Sequence, residues 1–181
     1  MIAFRTDTFY GLGVDPFNAV AVGRIRALKG REDDKPILLL ISDLDHIDRV
    51  IVEQTPEFIE LAAKFWPGPL TIIGKATADL PEGITAGTGT VGVRLPADEK
   101  VRELVRNCGG VVTATSANPT GREPARSAED VRSYFPEGID LIIDDGEVTA
   151  TEPSTVVDAI ASPPRVIREG AIRATLIVPH E

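Results

Sequence analysis

Residues 111–121 read Val-Val-Thr-Ala-Thr-Ser-Ala-Asn-Pro-Thr-Gly, and this stretch constrains the fold more than any other. An apolar pair empties into small hydroxyl and amide residues that stop at Pro119 and Gly121. That is a strand running out into a turn at a sheet edge, where open α/β sheets hold their ligands. Far upstream stands Lys29-Gly30-Arg31. Ser116 and Asn118 offer neutral donors and acceptors, and Lys29 and Arg31 offer two fixed positive charges. Cations, small polar groups and glycine backbone together suit a phosphate-bearing ligand.

The rest of the chain alternates between strand and helix patterns. Residues 2–5 read as a strand stub. Apolar positions at Val20, Val22, Ile25 and Leu28 make residues 18–28 a helix, with Asn18 as cap and Gly30 after the end. Ile37 to Ile41 is a buried strand. Thr55-Pro56-Glu57 opens a second helix with proline at its first position, and Trp66-Pro67-Gly68-Pro69 stops it. Leu70–Ile73 and Val91–Leu95 are strands, with a Gly- and Thr-rich loop between them over Gly83–Gly89. Glu99–Val105 is a third helix, ended by Gly109-Gly110, and Val111–Thr115 follows as a strand. Ser127 begins a short helix with Asp130 as its capping-box acid. Leu141–Ile143, Thr155–Ile160 and Val166–Arg168 read as further strands. The expected architecture is one α/β domain over residues 1–181, with a twisted, open, mixed sheet flanked by helices.

Composition closes off several classes. With 43% hydrophobic and 26% charged residues the chain is an ordinary globular one. No apolar stretch approaches the ~18 residues of a membrane span, and no signal peptide is visible at the start. Cys108 is the only cysteine, which excludes an internal disulfide and points to a reducing, cytoplasmic compartment. No Cys/His spacing resembles a zinc site, so no protein-held metal is expected. A net charge of -9 argues against tight non-specific nucleic-acid binding.

Generic catalytic motifs are absent. Gly11-Leu12-Gly13 lacks the third glycine and the βαβ setting of a dinucleotide fingerprint. Ser116 has no Gly-x-Ser-x-Gly context. His46 and His180, the two histidines, read as surface residues. Chemistry in such a chain must run on positioning and positive charge.

Seven blocks in order carry a resemblance. They are Thr6-Asp7-Thr8-Phe9-Tyr10-Gly11-Leu12-Gly13, Lys29-Gly30-Arg31 with Lys35-Pro36, Phe65-Trp66-Pro67-Gly68-Pro69-Leu70-Thr71, Val93-Arg94-Leu95-Pro96, Thr115-Ser116-Ala117-Asn118, Pro153-Ser154-Thr155-Val156-Val157-Asp158 and Ile167-Arg168-Glu169-Gly170. In that spacing the chain resembles the YrdC-like threonylcarbamoyl-AMP synthases of the short, single-domain type.

The resemblance implies a nucleotidyltransferase that condenses L-threonine, bicarbonate and ATP to threonylcarbamoyl-adenylate and pyrophosphate. Partner proteins then use the adenylate to modify adenosine 37 of tRNAs that read ANN codons. Lys29, Arg31, Ser116 and Asn118 match the family's catalytic tetrad. Lys35, Thr90, Arg94, Thr115, Arg126 and Arg168, with that tetrad, align with its ATP contacts. Thr8, Tyr10 and Ser154 align with the surroundings of the threonine. Mg2+ is expected to arrive with ATP.

Other readings accompany these. Trp66, Phe9, Phe65 and Thr155 are expected to be structural. Arg5 stands where the family usually has proline, and Leu40 where some members carry a threonine-contacting histidine. Only Met1–Arg5 precede the Thr-Asp-Thr block, so the family's first helix and most of its first strand are expected to be trimmed. The competing function is a non-catalytic module for double-stranded RNA or tRNA, and a weak RNA contact stays among the expected partners. A carbamoyl-adenylate chemistry of the hydrogenase-maturation kind is the other competitor.

Overall fold

A computed structural model of the chain describes residues 1–30 and 35–177. In chain order the elements are β1 (Ile2–Arg5), β2 (Tyr10–Gly13), α1 (Ala19–Lys29), β3 (Leu39–Ile41), a 3₁₀ helix (Leu44–Arg49), α2 (Pro56–Phe65), β4 (Leu70–Lys75), α3 (Glu82–Thr85), β5 (Thr90–Arg94), α4 (Glu99–Asn107), β6 (Val111–Thr113), β7 (Thr115–Ser116), α5 (Ala128–Tyr134), β8 (Leu141–Ile142), β9 (Thr155–Asp158), β10 (Arg165–Arg168) and α6 (Ala174–Ile177).

The mixed α/β class holds, but the strands divide between two sheets. One has the order β7-β2-β1-β8 and the other β10-β9-β4-β5-β3-β6. Both are mixed: β1 pairs parallel with β8 and antiparallel with β2, while β3–β5 and β4–β9 are parallel pairs within an otherwise antiparallel sheet. The stretch expected as one strand over Val111–Thr115 is where the sheets part. Its first half pairs with β3 and its second half with β2. Ala114 is the switch residue, and its N–H goes to the Leu38 carbonyl. Partners distant in sequence decide this split.

The helix ends follow their local chemistry. Asn18 accepts a hydrogen bond from Ala21 N, and Gly30 closes α1 in the left-handed region at φ 57° with its N–H on the last carbonyls. Thr55 caps α2 ahead of Pro56. Ser127 and Asp130 form a reciprocal capping box on α5. One departure is α3, a single helical turn inside the stretch expected to be a loop.

The main core gathers Tyr10, Leu12, Ile25, Ile37, Leu39, Ile41, Phe58, Leu70, Ile72, Val91, Val93 and Val157, among others. Each large apolar side chain so buried contributes about 1.5–3 kcal/mol of transfer free energy. A second cluster of Phe4, Leu40, Val101, Val105, Val112 and Ala114 lies under α4. Leu40 is thus core, 0% exposed. Trp66 packs edge-on against Phe58 at 5.6 Å, and its indole N–H donates to the Leu70 carbonyl at 2.6 Å. It is a structural residue, as expected.

Candidate active site

A cavity of about 820 Å3 opens between the two sheets. That is the size range of small-molecule sites. Strand pleating builds its walls, because alternate residues face opposite sides of a sheet. On β4, Thr71 and Ile73 line the cavity while Leu70 and Ile72 enter the core. On β5, Gly92 and Arg94 line it while Val91 and Val93 are core. Ser154, just before β9, and Val156 line it while Val157 is core. A register shift between Val166 and Arg168 breaks the alternation on β10, so Ile167 and Arg168 both reach the cavity. The opposite wall comes from the 6–9 turn, β2 and β7, with Thr6, Thr8, Tyr10, Thr115 and Ser116. Gly92 keeps the floor open. A Cβ there would meet Thr71 Cγ2 at 2.9 Å.

Arg94 is the most informative side chain in this wall. It is 1% exposed and lines the cavity. Its Nη2 lies 3.1 Å from Asp7 Oδ1. Nε and Nη1 have no hydrogen-bond partner among the described residues. Burial pushes the guanidinium below its usual range, Asp7 pulls it back up, and Arg168 pushes it down again. Burial lowers Arg168 as well. Arg168 Nη2 donates to the Ser154 carbonyl at 2.8 Å. Ser154 Oγ lies 3.0 Å from Thr71 Oγ1, so hydroxyls and guanidinium form one cluster. Lys35 adds a third cation to the lining, and Glu123 is its one acidic member among the described residues.

The turn after β7 borders the same space. Lys29 is 5% exposed, and its Nζ donates to the Ser116 carbonyl. Asn118 donates from Nδ2 to the carbonyls of Pro119 and Arg122 at 2.9 and 2.7 Å. Its Oδ1 is buried without a hydrogen bond among the described residues. Thr120 donates to the Lys29 carbonyl from both its backbone N–H and its hydroxyl. The end of α1 and the turn after β7 are therefore one unit.

Residues 1–170 match the Sua5/YciO/YrdC family model, described as telomere recombination. The chain belongs to this family. It is 38% identical over 173 residues to the threonylcarbamoyl-AMP synthase of Pyrococcus abyssi, covering 95% of this chain and 51% of that protein. It is 35% identical over 175 residues to the threonylcarbamoyl-AMP synthase of Idiomarina loihiensis, covering 94% of this chain and 92% of that one. The crystal structure of P. abyssi Sua5 complexed with L-threonine superposes with a TM-score of 0.93 at 35% identity, over 98% of this chain and 53% of that one. The chain thus spans about half the length of the P. abyssi protein.

In this Sua5/YciO/YrdC domain, eight of the residues singled out from sequence line the cavity: Thr8, Tyr10, Lys35, Arg94, Thr115, Ser116, Ser154 and Arg168. Lys29 and Asn118 adjoin it through the turn after β7. Thr90 and Arg126 are not in the lining. The Thr90 hydroxyl is 2.9 Å from that of Thr88, and Arg126 Nη2 donates to the Ala150 carbonyl at 2.5 Å. Arg31 and His180 lie outside the described residues. Tyr10 contributes a wall and not a free hydroxyl, because its OH donates to the Gly146 carbonyl at 2.8 Å, and burial raises its pKa.

Phe9 lines the cavity, where a core position was expected. Sequence reasoning passed over the site roles of Thr71, Asp7 and Thr151. For Thr71 the signal was a hydroxyl at a cavity-facing position of an apolar strand.

Proposed function

We propose that this cavity condenses L-threonine, bicarbonate and ATP to threonylcarbamoyl-adenylate and pyrophosphate. One observation carries the reading. Arg94, 1% exposed, lines the cavity with two guanidinium nitrogens that have no hydrogen-bond partner among the described residues, beside Arg168 and Lys35. Buried donors without partners cost about 1–3 kcal/mol each unless a ligand satisfies them. An anionic ligand satisfies these Arg94 donors, and the triphosphate of ATP is one.

The chemistry needs an electropositive, dry site more than a nucleophile. The threonine amine adds to CO2 derived from bicarbonate and loses a proton, giving a carbamate. A carbamate oxygen attacks the α-phosphorus of ATP, and the bond to pyrophosphate breaks. Negative charge grows on the departing phosphates, so fixed cations accelerate this step. Lys35, Arg94 and Arg168 supply that charge, with Lys29 and Arg31 completing the phosphate cradle. Thr115, Ser116 and Asn118 orient the nucleotide. Thr8 and Ser154 present hydroxyls to threonine, with Thr71 beside Ser154 and the Tyr10 ring as wall. Magnesium carried by the ATP phosphates would, when bound, neutralise part of their charge. Arg126 and Thr90 act from beyond the cavity wall, where Arg126 anchors the 147–153 segment.

The adenylate is labile toward water, so partner proteins of the tRNA-modification machinery receive it, in the cytoplasm. Any tRNA or double-stranded RNA contact is weak, given the net charge of -9. Incubation with ATP, bicarbonate and L-threonine tests the proposal. Pyrophosphate release depends on both threonine and bicarbonate, and the adenylate is detected by mass. Release indifferent to threonine overturns it.

A further inference from the structure

Asp7 sits on the turn between β1 and β2, in the four-stranded sheet, while Arg94 ends β5 in the six-stranded sheet. The turn is held by its own side chains. Thr6 Oγ1 accepts from the N–H groups of Thr8 and Phe9 at 3.1 and 3.2 Å, and Thr6 N donates to the Phe9 carbonyl. Asp7 at the apex is therefore held by a preset turn, and its carboxylate bridges the sheets. Its Oδ1 is 3.1 Å from Arg94 Nη2, and its Oδ2 accepts from Ala97 N at 3.4 Å. The Oδ1 contact is close enough for an ion pair but off the angle of a hydrogen bond.

We propose that Asp7 is a positioning residue, which holds the Arg94 guanidinium oriented so that its Nε and Nη1 donors serve the anionic ligand in the cavity. This rests on reading the cavity as an ATP and threonine site.

The geometry separates this role from simple structural pairing. Arginine–carboxylate pairs are frequently bidentate, with two parallel bonds that use up the fork. Here Nη2 alone faces the carboxylate, and Nε and Nη1 have no partner among the described residues. The Arg94 side chain is 2% exposed and that of Asp7 is 14% exposed, so water screens the pair little. Arg168 faces the same cavity and repels Arg94. Without the carboxylate, Arg94 would face Arg168 across the empty site without the acid that pairs with it. With it, the Arg94 guanidinium is already oriented before ATP arrives and need not reorganise on binding.

The test is equilibrium binding of MgATP, L-threonine and adenosine to the wild-type chain and to Asp7→Asn and Asp7→Glu. Asp7→Asn keeps the shape and removes the charge. It lowers MgATP affinity at least ~10-fold, the scale of losing one partner of a buried charge pair, and leaves the uncharged adenosine unaffected. Asp7→Glu regains most of the MgATP affinity. Wild-type MgATP binding by Asp7→Asn overturns the proposal. An equal loss of MgATP and adenosine, or no recovery in Asp7→Glu, also overturns it and leaves Asp7 a structural residue. A wild-type chain that binds neither MgATP nor threonine fails the reading of the cavity itself, a different result from a failure of Asp7 alone.

Discussion

Thr155→Val is nearly isosteric, and its cost can be worked from the hydrogen bonds it removes. Thr155 is 0% exposed at the start of β9. Its hydroxyl donates to the Ile172 carbonyl at 2.6 Å and accepts from the N–H groups of Gly170 and Ile172 at 2.9 and 3.0 Å. One side-chain oxygen thus holds the 170–172 segment beside β9. Valine replaces that oxygen with a methyl group. Each bond contributes about 0.5–1.5 kcal/mol, and each buried group left unsatisfied costs about 1–3 kcal/mol. The added methyl returns about 0.8 kcal/mol of transfer free energy.

Three such bonds less the return of the methyl give a net loss of about 1–4 kcal/mol, a large part of a typical 5–15 kcal/mol. The assay is urea unfolding followed by fluorescence of Trp66, the single tryptophan. The midpoint falls while the slope stays the same. Because the same segments carry Ser154 and Arg168, threonine and ATP affinities fall as well. A loss below about 1 kcal/mol would refute the reasoning, since it would mean that water or backbone replaces all three bonds.

Two further outcomes are expected. Ser116→Ala removes a hydroxyl from the cavity wall with no change in charge, so it cuts adenylate formation at least ~10-fold, and RNA affinity in a filter-binding assay stays put. Asp140 is held at a pKa of about 2, first by the Arg24 guanidinium at 3.0 Å and then by the terminal ammonium. Its folded pKa is depressed, so the stabilisation is present above an unfolded value near 3.8 and is lost as pH falls toward 2. In Arg24→Ala the Asp140 carboxyl titrates closer to 3.8 by carbon NMR.

Local chemistry made the helices legible. Asn18, Thr55 and the Ser127–Asp130 box each announce a start, and each caps the helix expected of it. The strand β2 was not legible, because Tyr-Gly-Leu-Gly carries two glycines and no polar alternation. The division at Ala114 was not legible either, since the partners that separate β6 from β7 lie about 70 and 100 residues away. Within the site, the cations and hydroxyls that line the cavity were readable through the family blocks. What those blocks could not convey is which polar groups are already engaged. Arg126 is held by Ala150 and the Tyr10 hydroxyl by Gly146, whereas two Arg94 nitrogens have no partner among the described residues. Engagement depends on loops that close from far along the chain.

The placement of charge bears on whether this fold acts as an enzyme or as an RNA module. A chain that binds the RNA backbone displays its cations, because affinity comes from neutralising phosphates along an extended surface. Here Arg94 is 1% exposed and Lys29 is 5% exposed. Cations so enclosed cannot track a double helix. Burying them is costly unless anions are brought to them. The carboxylate of Asp7 offsets part of that cost in the empty protein, and a small anion small enough to enter about 820 Å3 offsets the rest. Sites that hold unpartnered polar groups in this way give up stability in exchange for a pre-arranged electrostatic environment, which phosphoryl-group chemistry needs. Burial of Arg94 and Lys29 at the cavity, more than the number of cations on the chain, is what favours catalysis on a nucleotide over contact with an RNA surface.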